Sequence, residues 1–148
     1  MNSELLSKAA AYCSASEHCV TEVTDKLLKW GADSTEIPPI IDYLLKEKYI
    51  DENRYCRAFV NDKLRFAKWG RQKIAYMLSA KRVDKEALAA ALDSIDEEQY
   101  QKILIDLLKS KLKTIRTSEP QQLKLKLYRF AASRGFEASD ITKAIKNI

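Results

Sequence analysis

The sequence holds a single histidine, His18, and only three residues each of glycine, proline and cysteine. With one imidazole, a Ser-His or Cys-His nucleophile would have to use His18, and nothing in its acidic surroundings supports that role. There is no Gly-rich phosphate loop, no GxSxG, no HExxH and no kinase signature. Paired carboxylates do occur, as Asp51/Glu52 and Glu97/Glu98. They stand at expected helix starts, where complementing the helix dipole is reason enough for them. The chain therefore reads as a non-enzyme that needs no cofactor. Cys13, Cys19 and Cys56 are odd in number and irregularly spaced, which is not a disulfide framework. Cys13, His18 and Cys19 lie close together, but no CxxC pair and no second histidine complete a tetrahedral zinc set. Buried helical thiols are the better account, and no metal is expected. No apolar run approaches the roughly 20 residues that cross a bilayer. Residues 1–11 show no basic stretch leading into an apolar one. A cytoplasmic protein with no membrane partner is expected.

What the chain has in quantity is helix-forming residues and charge: 46% of residues are hydrophobic and 32% charged, rich in Ala, Leu, Lys and Glu. A weak internal repeat runs through it. Gly31, Arg82 and Gly135 are equivalent anchors. Eight residues before them stand Val23, Ile74 and Leu127; four before, Leu27, Leu78 and Ala131. One after come Ala32, Val83 and Phe136; six after, Ile37, Leu88 and Ile141; ten after, Ile41, Leu92 and Ile145. This is the i, i+4 spacing of two amphipathic helices, meeting where glycine ends a helix in a left-handed turn. Arg82 in that place implies a different or a strained turn.

The pattern predicts an all-α protein of three tandem three-helix repeats, 1–50, 51–95 and 96–148. The expected helices are 3–15, 16–30, 34–48, 51–68, 71–80, 84–94, 96–114, 119–133 and 138–147. Asp84 is expected to cap the sixth helix and Ser118 to open the eighth with a capping box ahead of Pro120. Pro38 and Pro39 fit the first turn of a helix starting near Ser34. An array with local contacts only would be an elongated, curved monomer.

Charge is segregated along the chain. Residues 1–53 carry a net charge of −5, 54–82 of +8, 83–100 of −5 and 101–134 of +7. An ordinary solvated surface intersperses both signs, whereas basic blocks of this size attract phosphate backbones. Aromatics are interleaved: Tyr55, Phe59, Phe66, Trp69 and Tyr76 in the first block, Tyr128 and Phe130 in the second. Their helical spacing places most of them in the core. A nucleic-acid-binding helical module and a pure protein adaptor are both compatible with this pattern.

The stretch Tyr49-Ile50-Asp51-Glu52-Asn53-Arg54-Tyr55-Cys56-Arg57-Ala58-Phe59-Val60 resembles the central signature of the bacterial RecX family. So do Trp69-Gly70-Arg71-Gln72-Lys73-Ile74 with Leu78 and Lys81, and Lys126-Leu127-Tyr128-Arg129-Phe130-Ala131-Ala132-Ser133-Arg134-Gly135-Phe136 near the end. Arg82 departs from the glycine the family prefers there, and the first repeat is more acidic than a uniformly DNA-facing protein would need. The resemblance implies a curved three-repeat protein lying in the groove of the RecA filament on single- or double-stranded DNA. It would inhibit ATP hydrolysis, strand exchange and coprotease function, and so regulate recombination, DNA repair and the SOS response. The basic residues expected to face DNA or the filament are Arg57, Lys63, Arg65, Lys68, Arg71, Lys73, Lys81, Arg82, Lys124, Lys126, Arg129 and Arg134. Two separated basic blocks would let the protein bridge neighbouring RecA subunits.

Overall fold

The computed structural model describes residues 1–148. It contains nine α-helices and no strand. They are α1 (Ser3–Ala15), α2 (Val20–Lys29), α3 (Ile37–Lys46), α4 (Glu52–Asp62), α5 (Arg71–Ala80), α6 (Lys85–Asp93), α7 (Glu97–Leu112), α8 (Pro120–Ser133) and α9 (Ala138–Lys146). α4 runs directly into a π-helical turn, Lys63–Ala67, which ends on Lys68 in the left-handed conformation. The single helix expected over 51–68 is thus an α-helix plus a wider turn, and Ser118 is not a cap. Glu119 occupies the N-cap of α8, with Pro120 in its first turn. Ser34 does not open α3 either. Asp33 closes a short turn by accepting from the amides of Thr35 and Glu36, and the helix starts at Ile37. Asp84 does cap α6, accepting from the Ala87 amide at 3.0 Å.

All three anchors adopt positive φ: Gly31 at 90°, Arg82 at 56° and Gly135 at 92°. At Gly31 and Gly135 both bonds of a Schellman motif close. Gly31 and Ala32 donate to Leu28 and Leu27, and Gly135 and Phe136 donate to Ala132 and Ala131. Arg82 makes the same first bond, its amide donating to Ser79, but it carries a Cβ where glycine carries none. Arg82→Gly is expected to raise stability by about 1 kcal/mol, the left-handed strain removed less the extra freedom of the unfolded chain. Urea unfolding at constant m reads this out, and a loss of stability would show that the Arg82 side chain outweighs its backbone.

The residues eight and four before each anchor, one after it and nine after it are buried in every repeat. The last of these are Ile40, Ala91 and Ala144. Those expected in the core at six and ten residues after the anchor are buried only as Ile41 and Ile141; Ile37, Leu88, Leu92 and Ile145 are half-buried. In repeats two and three the buried ninth position is an alanine, and the larger side chains of that helix at the tenth, Leu92 and Ile145, are half-buried.

The chain forms two compact units, Met1–Phe59 with Leu78–Ala91, and Val60–Met77 with Leu92–Ile148. Each unit contains one joint between successive repeats, made by equivalent elements through different partners. In the first, Glu52, which opens α4, accepts from the amides of Val20 and Asp84, at the starts of α2 and α6. Tyr55, three residues on, donates to Glu22, which also receives Lys81 at 2.9 Å. In the second, Tyr100, the fourth residue of α7, accepts from the Arg71 amide at 3.0 Å and donates to Glu137 at 2.7 Å. Gly70 and Gln72 donate to the carbonyls of Arg134 and Gly135, in the turn after α8. The amides that begin α5 thus find partners in the following repeat, where a free helix start would turn to water.

Candidate functional site

Nine of the twelve basic candidates fall in the second unit; Arg57, Lys81 and Arg82 fall in the first. That unit holds sixteen Lys and Arg against nine Asp and Glu, and the first unit ten against twelve. The positive charge is therefore a property of one compact body.

Within that body the cations divide into two roles. Arg71 is only 20% exposed in its side chain, lies 4.0 Å over the Tyr100 ring and meets Glu97, Glu137 and Asp140. Burial and the adjoining Glu137 push the Asp140 carboxyl above its ordinary value. Arg71 is thus engaged by three carboxylates in holding repeats together. Lys81 is likewise committed to Glu22, in the first unit. Burial would raise the Glu22 carboxyl, but hydrogen bonds from Lys81 and His18 outweigh it and hold the group below its ordinary 4.5. A depressed carboxylate contributes stability above the unfolded value that is lost as pH falls through the folded one. Unfolding followed from pH 6 downward should show this loss beginning near 4.5, and Glu22→Gln should flatten it. An identical acid limb in the variant would exclude Glu22 as its source.

Lys68, Lys124, Lys126, Arg65 and Arg129 form no ion pair. Arg65, Lys124, Lys126 and Arg129 are exposed and Lys68 half-buried. Lys126 and Arg129, on α8, face Lys111 at the end of α7 and Arg116 in the loop between them, across an open groove that also includes Thr114, Ile115 and Phe130. Four cations and no carboxylate line it. Lys111 lies 4.9 Å over the Phe130 ring and Arg134 5.1 Å over the same ring. Arg134 also donates to the Ala67 carbonyl at 3.1 Å, so this groove adjoins the end of the π-helical turn. There Trp69 carries Lys63 and Lys73 over its ring at 5.0 and 4.6 Å. The second block and the part of the first that lies in this unit, Lys63 to Lys73, meet at Arg134.

Most of the interleaved aromatics are not core. Tyr55 is buried, Phe59, Trp69, Tyr128 and Phe130 are half-buried, and Phe66 and Tyr76 are 78% and 74% exposed. The π-helical turn is one cause: its wider winding carries Phe66 away from the face that Tyr55 and Phe59 share. Lys111 and Arg116 are groove residues absent from the sequence-derived set. Arg116 lies in an irregular loop without periodicity, and Lys111 is marked only by following α7 to its last turn. Elsewhere, burial pushes Cys13 and Cys56 up to about 11, so neither is a thiolate at neutral pH. His18 stacks on Tyr12 and pairs with Glu22.

Residues 51–92 match the family model described as RecX, second three-helix domain, and residues 97–145 match RecX, third three-helix domain. The Regulatory protein RecX of Clostridium botulinum (strain Eklund 17B / Type B) is 35% identical over 127 residues, 84% of this chain and 59% of that protein. The Regulatory protein RecX of Acinetobacter baylyi is 29% identical over 147 residues, 98% of this chain and 88% of that protein. The chain spans about three fifths of the length of the clostridial relatives it matches. In structure it is similar to RecX from Lactobacillus salivarius, with a TM-score of 0.88 at 21% identity, over 98% of this chain and 94% of that one.

Proposed function

The chain belongs to the RecX family of regulatory proteins, and on that premise we propose that it binds the RecA–DNA filament and restrains RecA by occupying it. The observation that carries this reading is the carboxylate-free groove of Lys111, Arg116, Lys126 and Arg129, continuous through Arg134 with the basic π-helical turn. Such a surface suits a phosphate backbone, with Phe130 available to pack against sugar or base. Of the sequence-derived candidates, Arg57, Lys63, Arg65, Lys68, Lys73, Arg82, Lys124, Lys126, Arg129 and Arg134 remain proposed contacts; Arg71 and Lys81 are assigned to the joints. Avidity then comes from one extended basic surface, with no need for two separate patches spanning neighbouring subunits. The three repeats, 1–50, 51–95 and 96–148, serve as modules of one monomeric cytoplasmic regulator of recombination, DNA repair and the SOS response.

The test is anisotropy of labelled single-stranded DNA, with and without RecA and ATP, at two salt concentrations. Binding that is much tighter to the RecA-coated strand supports the regulator. Equal, strongly salt-dependent binding to bare DNA would instead make the chain a nucleic-acid-binding module without a dedicated protein partner.

A further inference from the structure

Two aromatic side chains stand apart from the rest. Phe66 is 78% and Tyr76 74% exposed, whereas the next most exposed aromatic residue, Tyr43, is at 38%. Single apolar residues at a surface are ordinary. These two lie ten positions apart in the basic second unit, and no acidic residue occurs between Asp62 and Asp84.

The backbone holds Phe66 outward at a cost. The residue belongs to the π-helical turn, which buries Leu64 and ends on Lys68 at φ 59°. π winding is rare and a left-handed residue with a Cβ is strained, and both recur where function has re-aimed a side chain. Tyr76 stands on α5 two residues from each of the buried Ile74 and Leu78, and so on the opposite face of that helix. Trp69 ties the two elements together: Lys63, which opens the turn, and Lys73, one turn before Tyr76, both lie over its ring. Ala67, next to Phe66, accepts from Arg134, which also lies over Phe130 in the basic groove.

We propose that Phe66 and Tyr76 are stacking positions for the unpaired bases of a single strand whose phosphates run along the basic face. The inference rests on reading that face as a nucleic-acid surface, and it adds which form of nucleic acid the face selects. Phosphate contacts alone take a duplex as readily as a single strand. An exposed ring gains only from a base whose own face is free, and it gains from any such base, so the selection is for strandedness and not for sequence. A protein partner could also cover two rings, but it gives no reason for the unbroken run of cations around them.

The probes are three labelled ligands of equal length: oligo(dT), the same strand made abasic, and a blunt duplex, read by anisotropy at low salt without RecA. The parent chain should bind oligo(dT) about ten-fold or more tighter than the abasic strand. Phe66→Ala/Tyr76→Ala should remove that margin and leave the abasic strand, the duplex, the salt slope and the circular dichroism melt unchanged. Phe66→Trp/Tyr76→Phe should keep the margin. Lys126→Glu/Arg129→Glu should instead weaken all three ligands, so loss of the basic face and loss of the stacking positions read differently. The proposal is overturned if the parent binds the abasic strand as tightly as oligo(dT), or if the alanine pair weakens all three ligands alike. It also falls if the alanine pair keeps the margin and loses only the RecA-coated strand, because the rings then dock on protein. Failure of every bare strand to bind overturns it too, while the filament reading is decided separately on the RecA-coated strand.

Discussion

Gly70→Ala is expected to remove about 3 kcal/mol of stability, a large effect for one methyl group. A Cβ at Gly70 would overlap the backbone of Gly135 and Phe136. Those atoms belong to the turn whose carbonyls accept from Gly70 and Gln72, so relief requires opening the joint and unpairing amides at the start of α5. The contrast is Gly31→Ala. Nothing stands near a Cβ there, and only its φ of 90° opposes the change, a cost of about 1–2 kcal/mol. Denaturant unfolding of both variants separates a packing collision from a backbone penalty. Equal losses would mean that the second joint yields to a methyl group and is looser than its hydrogen bonds imply.

Lys126→Glu with Arg129→Glu should have the largest functional effect. The two residues face one groove with Lys111 and Arg116, and both are exposed, so reversal leaves the core untouched. If each meets one phosphate, the slope of log affinity against log salt should become shallower by about 2, with affinity at low salt down by about two orders of magnitude. Reversing Arg71 would be a poor substitute. It would leave Glu97, Glu137 and Asp140 facing a fourth carboxylate, and lost binding would then report a broken joint. An unchanged salt slope in the α8 variant would take the groove out of the interface.

How much of this was legible in the sequence follows from what each signal encodes. The i, i+4 spacing around Gly31, Arg82 and Gly135 reports helix faces, and Val23, Leu27, Ile74, Leu78, Leu127 and Ala131 are all buried as it predicts. Arg82 at an anchor implied a different or a strained turn, and the structure has the second, with Arg82 in left-handed backbone. The same spacing undervalued Ala91 and Ala144, because an alanine carries little hydrophobic weight even where it is fully buried. The π-helical turn leaves no mark, since its residues keep a helical pattern while the winding changes, and Phe66 turns outward as a result. Charge blocks report sign but not pairing. Lys81 meets Glu22 from 59 positions away, and Arg71 meets Glu137 from 66. Both are structural for reasons that only the folded chain displays. The joints themselves follow from backbone amides at helix starts, which composition does not register.

The central claim is that this chain restrains RecA by occupancy through the basic face of its second unit. It is tested most directly by titrating RecA ATPase on single-stranded DNA with the parent chain and with Lys126→Glu/Arg129→Glu. The parent should lower ATP hydrolysis to a plateau that tracks bound protein and is restored when the protein is removed. The variant should reach that plateau only at concentrations about two orders of magnitude higher. Inhibition by the variant at the parent's concentrations would contradict the assigned face, and permanent loss of activity from trace protein would contradict occupancy itself.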